Sequence, residues 1–338
     1  MSDTSMIDQI RSLGDQLRWA AEVEPPHVGT FNEVLFAGMG GSGIAGDYAA
    51  AVALPSGTRV VVHKGYGPLP PWASRVRPLL IAASYSGNTE ETIDMVTSAW
   101  ESGLPVATVT TGGELAKLTA QNRWSTISVP EGLQPRAAAG YMIGAVVRLL
   151  EGAKSLDDHR LAFREAAELS EEMTSEGSQA WELAWSIAES LAGRIPIIYG
   201  GGPLSSVVAQ RWKTQVNENA KVPAWYSTLP ELDHNEIVGW ETMPEMTREH
   251  VAVVVLTDPS DHDRVRRRIE YTRDLTQNFV PWVGEVASRG TSRLARLISL
   301  TAVGDLVSWM LADRLGVDPT PVQTIEKLKR LLVEDTRR

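Results

Sequence analysis

The stretch SYSGNTEET at positions 84–92 gathers Ser84, Ser86, Thr89 and Thr92 around a turn made by Gly87 and Asn88. Hydroxyl and amide donors concentrated at one turn suit a ligand with several oxygens. Two hydroxyls two residues apart, a glycine turn and a threonine at a helix start surround a phosphate without a metal or a lysine. Capping is the plainer reading of any one hydroxyl: Ser86 or Thr89 would hold the first helix amides, with Glu90 or Glu91 near the positive helix end. Capping does not account for the whole cluster. A second stretch, GMGGSGIAGD at 38–47, follows an apolar run and opens a helical pattern. Its glycines let backbone approach a ligand, and amides at a helix start favour an anion. Gly38, Gly40 and Gly43 also fit a loose dinucleotide fingerprint. That fingerprint needs an acid at the end of the next strand, and HKGYG supplies none, whereas Ser42 stands inside the turn where a phosphate donor belongs.

Such turns need a rigid scaffold, and the sequence pattern supplies one. From Val34 onward, short apolar runs (VLFAGMG, TRVVVHK, PLLIAASY, PVATVTT) alternate with helical segments. Runs this short, bounded by Gly or Pro, read as buried parallel strands with crossover helices between them. The fold class is α/β. The alternation halts over about 155–190, where polar helical patterns predict a connector, and resumes with RIPIIYGGG, VAVVVLTD and FVPWVGEV. VLFAGMGGSG and IPIIYGGGPLS each run from an apolar strand into a glycine turn and a serine, which predicts duplication of one fold. The expected organisation is an N-terminal helix (1–30), a first domain (31–153), a helical connector (154–192), a second domain (193–318) and a C-terminal helix (319–338). On that last helix Ile325, Leu328 and Leu332 are expected to form the buried face.

Composition narrows the function classes. A chain of 338 residues with 43% apolar content exceeds one ordinary core, in keeping with two domains. The absence of cysteine excludes disulfides, thiolate metal sites and thiol nucleophiles. A formal charge of -10 argues against non-specific nucleic-acid binding but leaves room for a local anion pocket. No run was expected to reach the ~18 apolar residues of a membrane span, and the N-terminus lacks a signal-peptide pattern, so a cytoplasmic chain without a membrane partner is predicted. His63, His159, His250 and His262 are scattered, with no metal-ligand spacing.

GSGIAGD together with SYSGNTEET resembles the sugar isomerase (SIS) domain, whose paired copies bind phosphosugars. QPRAAAGY (134–141), KTQVNENAKVPAW (213–225) and LPELDHNEIVGWE (229–241) narrow the resemblance to the bifunctional phosphoglucose/phosphomannose isomerases, from about Val34 to the C-terminal helix. The resemblance implies two SIS domains, each a parallel sheet flanked by helices in a flavodoxin-like sandwich. It implies metal-independent, cofactor-free interconversion of glucose 6-phosphate and mannose 6-phosphate with fructose 6-phosphate through a cis-enediol. That chemistry needs a base between two carbons, a charge for the enediolate and a group to open the ring. By resemblance Glu218 is the base, Arg136 steadies the enediolate, and His234 opens the ring from the neighbouring subunit of a homodimer. Lys329, or alternatively Lys327, is the active-site lysine. The phosphate site is Ser42, Ser84, Ser86 and Thr89 with the amides of Gly41 and Gly87. Thr320 or Thr324, flanking Gln323, stands where substrate breadth is decided in the family. A phosphosugar-binding regulator, or an isomerase of another phosphosugar, is the alternative.

Overall fold

The computed structural model describes residues 5–335. The N-terminal segment forms two helices, α1 (Met6–Arg11) and α2 (Leu13–Glu22), where one was expected. Ser12 separates them, and its hydroxyl turns back to donate to the Gln9 carbonyl at 2.7 Å. The first sheet then builds as β1 (Glu33–Ala37), α3 (Gly40–Ala53), β2 (Arg59–His63), α4 (Pro71–Val76), β3 (Leu79–Ser84), α5 (Glu90–Glu101), β4 (Val106–Thr110), α6 (Gly113–Asn122) and β5 (Ser125–Ser128). All of its strand pairs are parallel, in the order β2-β1-β3-β4-β5. β3, with every residue buried, needs the continuous apolar run that the sequence gives it.

Helices α7 (Ala139–Gly152), α8 (Arg160–Thr174) and α9 (Gln179–Leu191) lead to the second sheet. That half comprises β6 (Ile195–Gly200), α10 (Pro203–Gln215), β7 (Trp225–Thr228), α11 (Pro244–His250), β8 (Val251–Thr257), α12 (Asp263–Thr276) and β9 (Val283–Ala287). Its order, β7-β6-β8-β9, repeats the first four strands of the other sheet, again all parallel. The duplication expected from the glycine turns is therefore present in the topology. The chain closes with the long helix α13 (Arg293–Arg314) and α14 (Gln323–Asp335).

The halves are not separate globules. One hydrophobic cluster runs from Val34 and Phe36 of the first sheet through α3, α7, α8, α9, α10 and α13 to Val254 of the second. Smaller clusters cover the outer face of each sheet. The expected connector helices thus sit inside a shared core, because helices between two sheets must bury more than one face. Tyr48 of α3 meets Thr301 of α13 across this layer, with 2.6 Å between their hydroxyls. By length and composition α13 is apolar enough to cross a membrane, contrary to the expectation of no such run, yet 89% of its apolar window is buried inside the protein. It is the central core helix.

One expectation fails outright. The face of α14 formed by Ile325, Leu328 and Leu332 is exposed rather than buried, with Leu328 at 58% and Leu331 also open. Helical periodicity marks which side of a helix is apolar and carries no information about what covers it.

Close packing of α10 on α13 depends on Gly304. A Cβ there would lie 2.2 Å from Nε1 of the buried Trp212, whose N–H donates to the Leu300 carbonyl at 2.8 Å. Alanine in a helix interior normally gains about 1 kcal/mol over glycine, but overpacking costs about 1–3 kcal/mol. The collision should win: Gly304→Ala is expected to lower the urea unfolding midpoint, and a raised midpoint would show that Trp212 moves aside freely.

Candidate functional site

The first-half order places the reversal of strand order between β1 and β3, where open parallel sheets bind ligands beyond the carboxyl ends of their strands. Both sequence motifs meet there. α3 starts at Gly40, and the buried Ser42 hydroxyl accepts the Tyr85 amide at 3.0 Å, tying the GMGGSG turn to the end of β3. Ser84 is fully buried, and its Oγ lies 2.9 Å from Oγ1 of Thr89. Thr89 occupies the N-cap of α5 but makes no side-chain bond to the helix amides, so capping is not what its hydroxyl does. Ser86 is exposed, with its Oγ accepting the Asn88 amide at 3.3 Å. Ser42 and Ser84 form the floor of this cradle, and Ser86 and Thr89 form its mouth.

Gly87 shapes the turn. Its φ is +68°, and a Cβ would lie 1.8 Å from the Gly112 carbonyl oxygen. Its amide donates to the Ser84 carbonyl at 3.1 Å. Gly41 faces the loop before α7, where a Cβ would stand 2.8 Å from the Pro135 carbonyl oxygen and 3.3 Å from Cα of Arg136. Close approach of this glycine sets the Arg136 backbone against the cradle. Gln16 of α2 fixes the same loop: its Nε2 donates to the Ala137 carbonyl and its Oε1 accepts the Gly140 amide, each at 2.9 Å.

From that backbone position the Arg136 side chain runs toward Glu218. It is 3% exposed. Nε donates to Oδ1 of Asn219 at 2.7 Å, and Nη2 donates to the carbonyls of Pro319 and Thr320 at 2.6 and 2.9 Å. Nη1 faces Oε1 of Gln134 at 3.5 Å and Oε2 of Glu218 at 3.6 Å. Burial pulls the guanidinium below its ordinary pKa, while the charges of Glu218 and Asp318 act the other way. Arginine nonetheless keeps its proton.

Glu218 lies on a single π-helical turn, Val216–Ala220, that extends α10. Such widened turns are frequent at functional sites. Together with Asn217, Lys221, Asp318, Gln323 and Thr324, Glu218 lines a cleft of about 640 Å³ between this turn and the start of α14. Lys221 was not singled out by sequence reasoning, although it stands three residues beyond Glu218. Its ammonium donates to the carbonyls of Glu218 and Pro319, and burial, followed by the charge of Arg136, lowers its pKa. Asn219 was also missed, because a buried amide has no signature in sequence.

His234 and Lys329 are not brought to this cleft. His234 is exposed on a short 3-10 turn, Glu231–His234, beyond edge strand β7, and Lys329 and Lys327 are exposed on α14. Within one chain the structure assembles Arg136 with Glu218 beside the cradle and leaves the other two outside.

A phosphoglucose/phosphomannose isomerase of Caldicellulosiruptor bescii, described as bifunctional, is 36% identical over 339 residues, spanning 97% of this chain and 99% of that protein. The chain belongs to the bifunctional phosphoglucose/phosphomannose isomerase family. The bacterial phospho-glucose isomerase C-terminal SIS domain family matches residues 181–332, a span that includes Glu218, His234 and the α14 lysines. A D-glucosamine-6-phosphate 4-epimerase of Sulfolobus acidocaldarius is 30% identical over 308 residues, 90% of each chain. Among solved structures, a hypothetical protein of Thermus thermophilus superposes with a TM-score of 0.75 at 13% identity, over 99% of this chain and 91% of that one. The two SIS sheets are thus the family's architecture.

The two SIS halves have diverged at corresponding turns. At the end of β6, a Cβ on Gly202 would lie 2.0 Å from Oδ1 of Asp261, so a carboxylate fills the space that the first half leaves as a cradle. Asp261 is buried, its Oδ1 has no hydrogen-bond partner, and burial raises its pKa to about 6. A raised carboxyl pKa means that the folded state binds more protons than the unfolded one between about pH 4 and 6, so this group's contribution falls as pH rises through that window. Asp261→Asn is expected to gain stability relative to the unsubstituted protein between pH 4.5 and 7.5 in urea unfolding. A pH-independent difference would contradict the shift.

Proposed function

We propose that this chain interconverts glucose 6-phosphate and mannose 6-phosphate with fructose 6-phosphate without a metal, by proton transfer through a cis-enediol. The observation that carries the reading is the pairing of Glu218, which lines the cleft, with a buried, permanently charged Arg136 behind it, whose backbone lies against the glycine turn of the hydroxyl cluster. Ser86 and Thr89, braced by Ser42 and Ser84 and framed by Gly41 and Gly87, hold the phosphate. Glu218 removes the C2 proton of the open-chain aldose, and the electron pair moves through the new C1–C2 double bond onto O1. Arg136 faces the resulting negative charge without entering the proton transfer. Return of the proton to C1 by Glu218, with the O2 proton passing to O1, yields the ketose. Glucose and mannose substrates give the same enediol once rotation about C2–C3 presents either face. Thr324 and Gln323, both lining the cleft, are placed to influence that rotation, whereas Thr320 contributes its carbonyl to Arg136.

Ring opening belongs to the partner subunit's His234 in a homodimer whose sites are shared. Two features support this: His234 stands away from its own cleft, and the apolar residues Trp225 of β7 and Ile325, Leu328 and Leu331 of α14 are exposed. Lys329 or Lys327 then enters a site when α14 is covered. The epimerase relative motivates a second reading, inversion at C4 of an amino-sugar phosphate.

The deciding assay follows fructose 6-phosphate consumption in a chelator, with the two aldose phosphates quantified separately and glucosamine 6-phosphate offered in parallel. Both aldose products are expected from the unsubstituted protein. Glu218→Gln is expected to abolish C2 proton exchange while retaining phosphosugar binding, and surviving turnover would remove Glu218 from the role of base. In the double variant Ser86→Ala with Thr89→Ala, KM should rise more than kcat falls, since each lost hydrogen bond to a charged group is worth about 1.5–3 kcal/mol. An unchanged KM would place the phosphate elsewhere.

A further inference from the structure

Arg136 is held from two directions by groups that touch no part of the cleft. Its Nε donates to Oδ1 of Asn219, and the Asn219 amide is itself oriented by Nδ2 donating to Oγ of Ser308 on α13 at 2.9 Å. Ser308 in turn donates to the main-chain carbonyl of Asp305 at 2.8 Å. The carboxylate of Asp305 accepts from Arg211 at 2.6 Å and from Gln215 at 2.9 Å, both on α10. Arg211 also donates to the main-chain carbonyl of Arg136 at 3.1 Å. Main chain and side chain of Arg136 are therefore both anchored to α13. Asn219, fully buried, is the only one of these anchoring side chains that bonds the guanidinium itself.

We infer that Asn219 is a positioning residue for the isomerisation, a neutral acceptor that locks the Arg136 guanidinium with Nη1 toward Glu218 while leaving its full positive charge available to the enediolate. The inference rests on the proposed roles of Arg136 and Glu218. The chemical choice at position 219 is informative. A buried arginine is most strongly held by a carboxylate, since hydrogen bonds between two charged groups are roughly twice as strong as neutral ones. A carboxylate in contact with Nε would also neutralise the charge that the transition state needs. An amide supplies the geometry without the counter-charge. Ser308, with a hydroxyl donating to Asp305, leaves its lone pairs to the Asn219 amide and so fixes which end of that amide faces Arg136.

Asn219→Asp keeps the shape and adds one negative charge. The Ser308 hydroxyl can rotate to donate to the new oxygen, exchanging one hydrogen bond for another. The ground-state sugar carries no charge near Arg136, whereas the enediolate does, so the loss falls on the chemical step. Expected for Asn219→Asp is a kcat lower by about tenfold to hundredfold, less than the roughly hundredfold to thousandfold that outright loss of an oxyanion donor costs, because the donor stays in place. KM and inhibition by inorganic phosphate should stay within about threefold, because the cradle is untouched. Asn219→Ala, which removes the anchor but adds no charge, should lower kcat less than Asn219→Asp despite a lower thermal midpoint. A merely structural role predicts the reverse order, with kcat per folded molecule tracking the thermal midpoint.

Unsubstituted protein and Glu218→Gln are measured alongside. If Glu218→Gln is inactive while folded Asn219→Asp turns over within twofold of the unsubstituted protein, the positioning role is overturned and the reading of the cleft survives. A rise in KM exceeding the fall in kcat overturns it equally, assigning Asn219 to binding. Exchange of the C2 proton by Glu218→Gln means that the cleft itself has been misread, and the role of Asn219 falls with it.

Discussion

A guanidinium that is almost wholly buried cannot give up its proton, so the surrounding fold has to satisfy it. Arg136 imposes that requirement on four separate segments: the loop before α7, the π turn after α10, the segment leading into α14 and, through Asn219 and Arg211, the central helix α13. The first three contribute neutral acceptors to the buried charge. The one carboxylate that approaches it directly, Glu218, does so at 3.6 Å and from the open side of the cleft. Hydrogen bonds to neutral groups thus hold Arg136 in place, and its ion pair with Glu218 is the looser contact.

The same constraint ties the halves of the molecule together. Arg136 belongs to the first SIS domain and Glu218 to the second, so their mutual placement depends on how α3, α10 and α13 pack in the shared central layer. Trp212 against Gly304 and Tyr48 against Thr301 fix that layer by contact at close range. Duplication supplied two sheets that share the order of four strands, and their glycine turns differ in what packs beside them. In the second half the buried Asp261 carboxylate packs against the turn at Gly202, and the same half carries Glu218. Divergence by filling one cradle costs little to the fold, because the glycine turn and the strand order are retained.

The open apolar face of α14 and the exposed position of His234 belong to one problem. A single chain brings the hydroxyl cluster, Arg136 and Glu218 together, and it leaves His234, Lys327, Lys329 and apolar residues of α14 exposed. Ile325, Leu328 and Leu331 put apolar surface of α14 into the open, and exposed apolar patches mark interaction sites. The proposed dimeric site would account for the histidine, the lysines and the exposed apolar residues together.

Local patterning determined β1 to β4, β6, β8 and β9, the glycine turns, the hydroxyl cluster at 84–89 and the repetition of one unit, because side-chain period and turn chemistry are properties of neighbouring residues; the short edge strands β5 and β7 carry no apolar run and were not legible. The family segments made Glu218, Arg136 and His234 legible as candidates, although by type and position alone each reads as an ordinary surface charge. Tertiary structure decided what those patterns leave open. It showed that Ser42 and Ser84 brace the cradle from beneath and that the expected connector helices lie within the core. It placed the apolar side of α14 in the open, and it made Asn219 and Lys221 neighbours of the reactive groups. The reason is physical: burial, hydrogen-bond partners and shifted proton affinities arise from packing among α3, α10, α13 and the loop at 134–138, segments far apart in the chain. Sequence periodicity reports only which face of an element is apolar. What meets that face is settled when the elements pack.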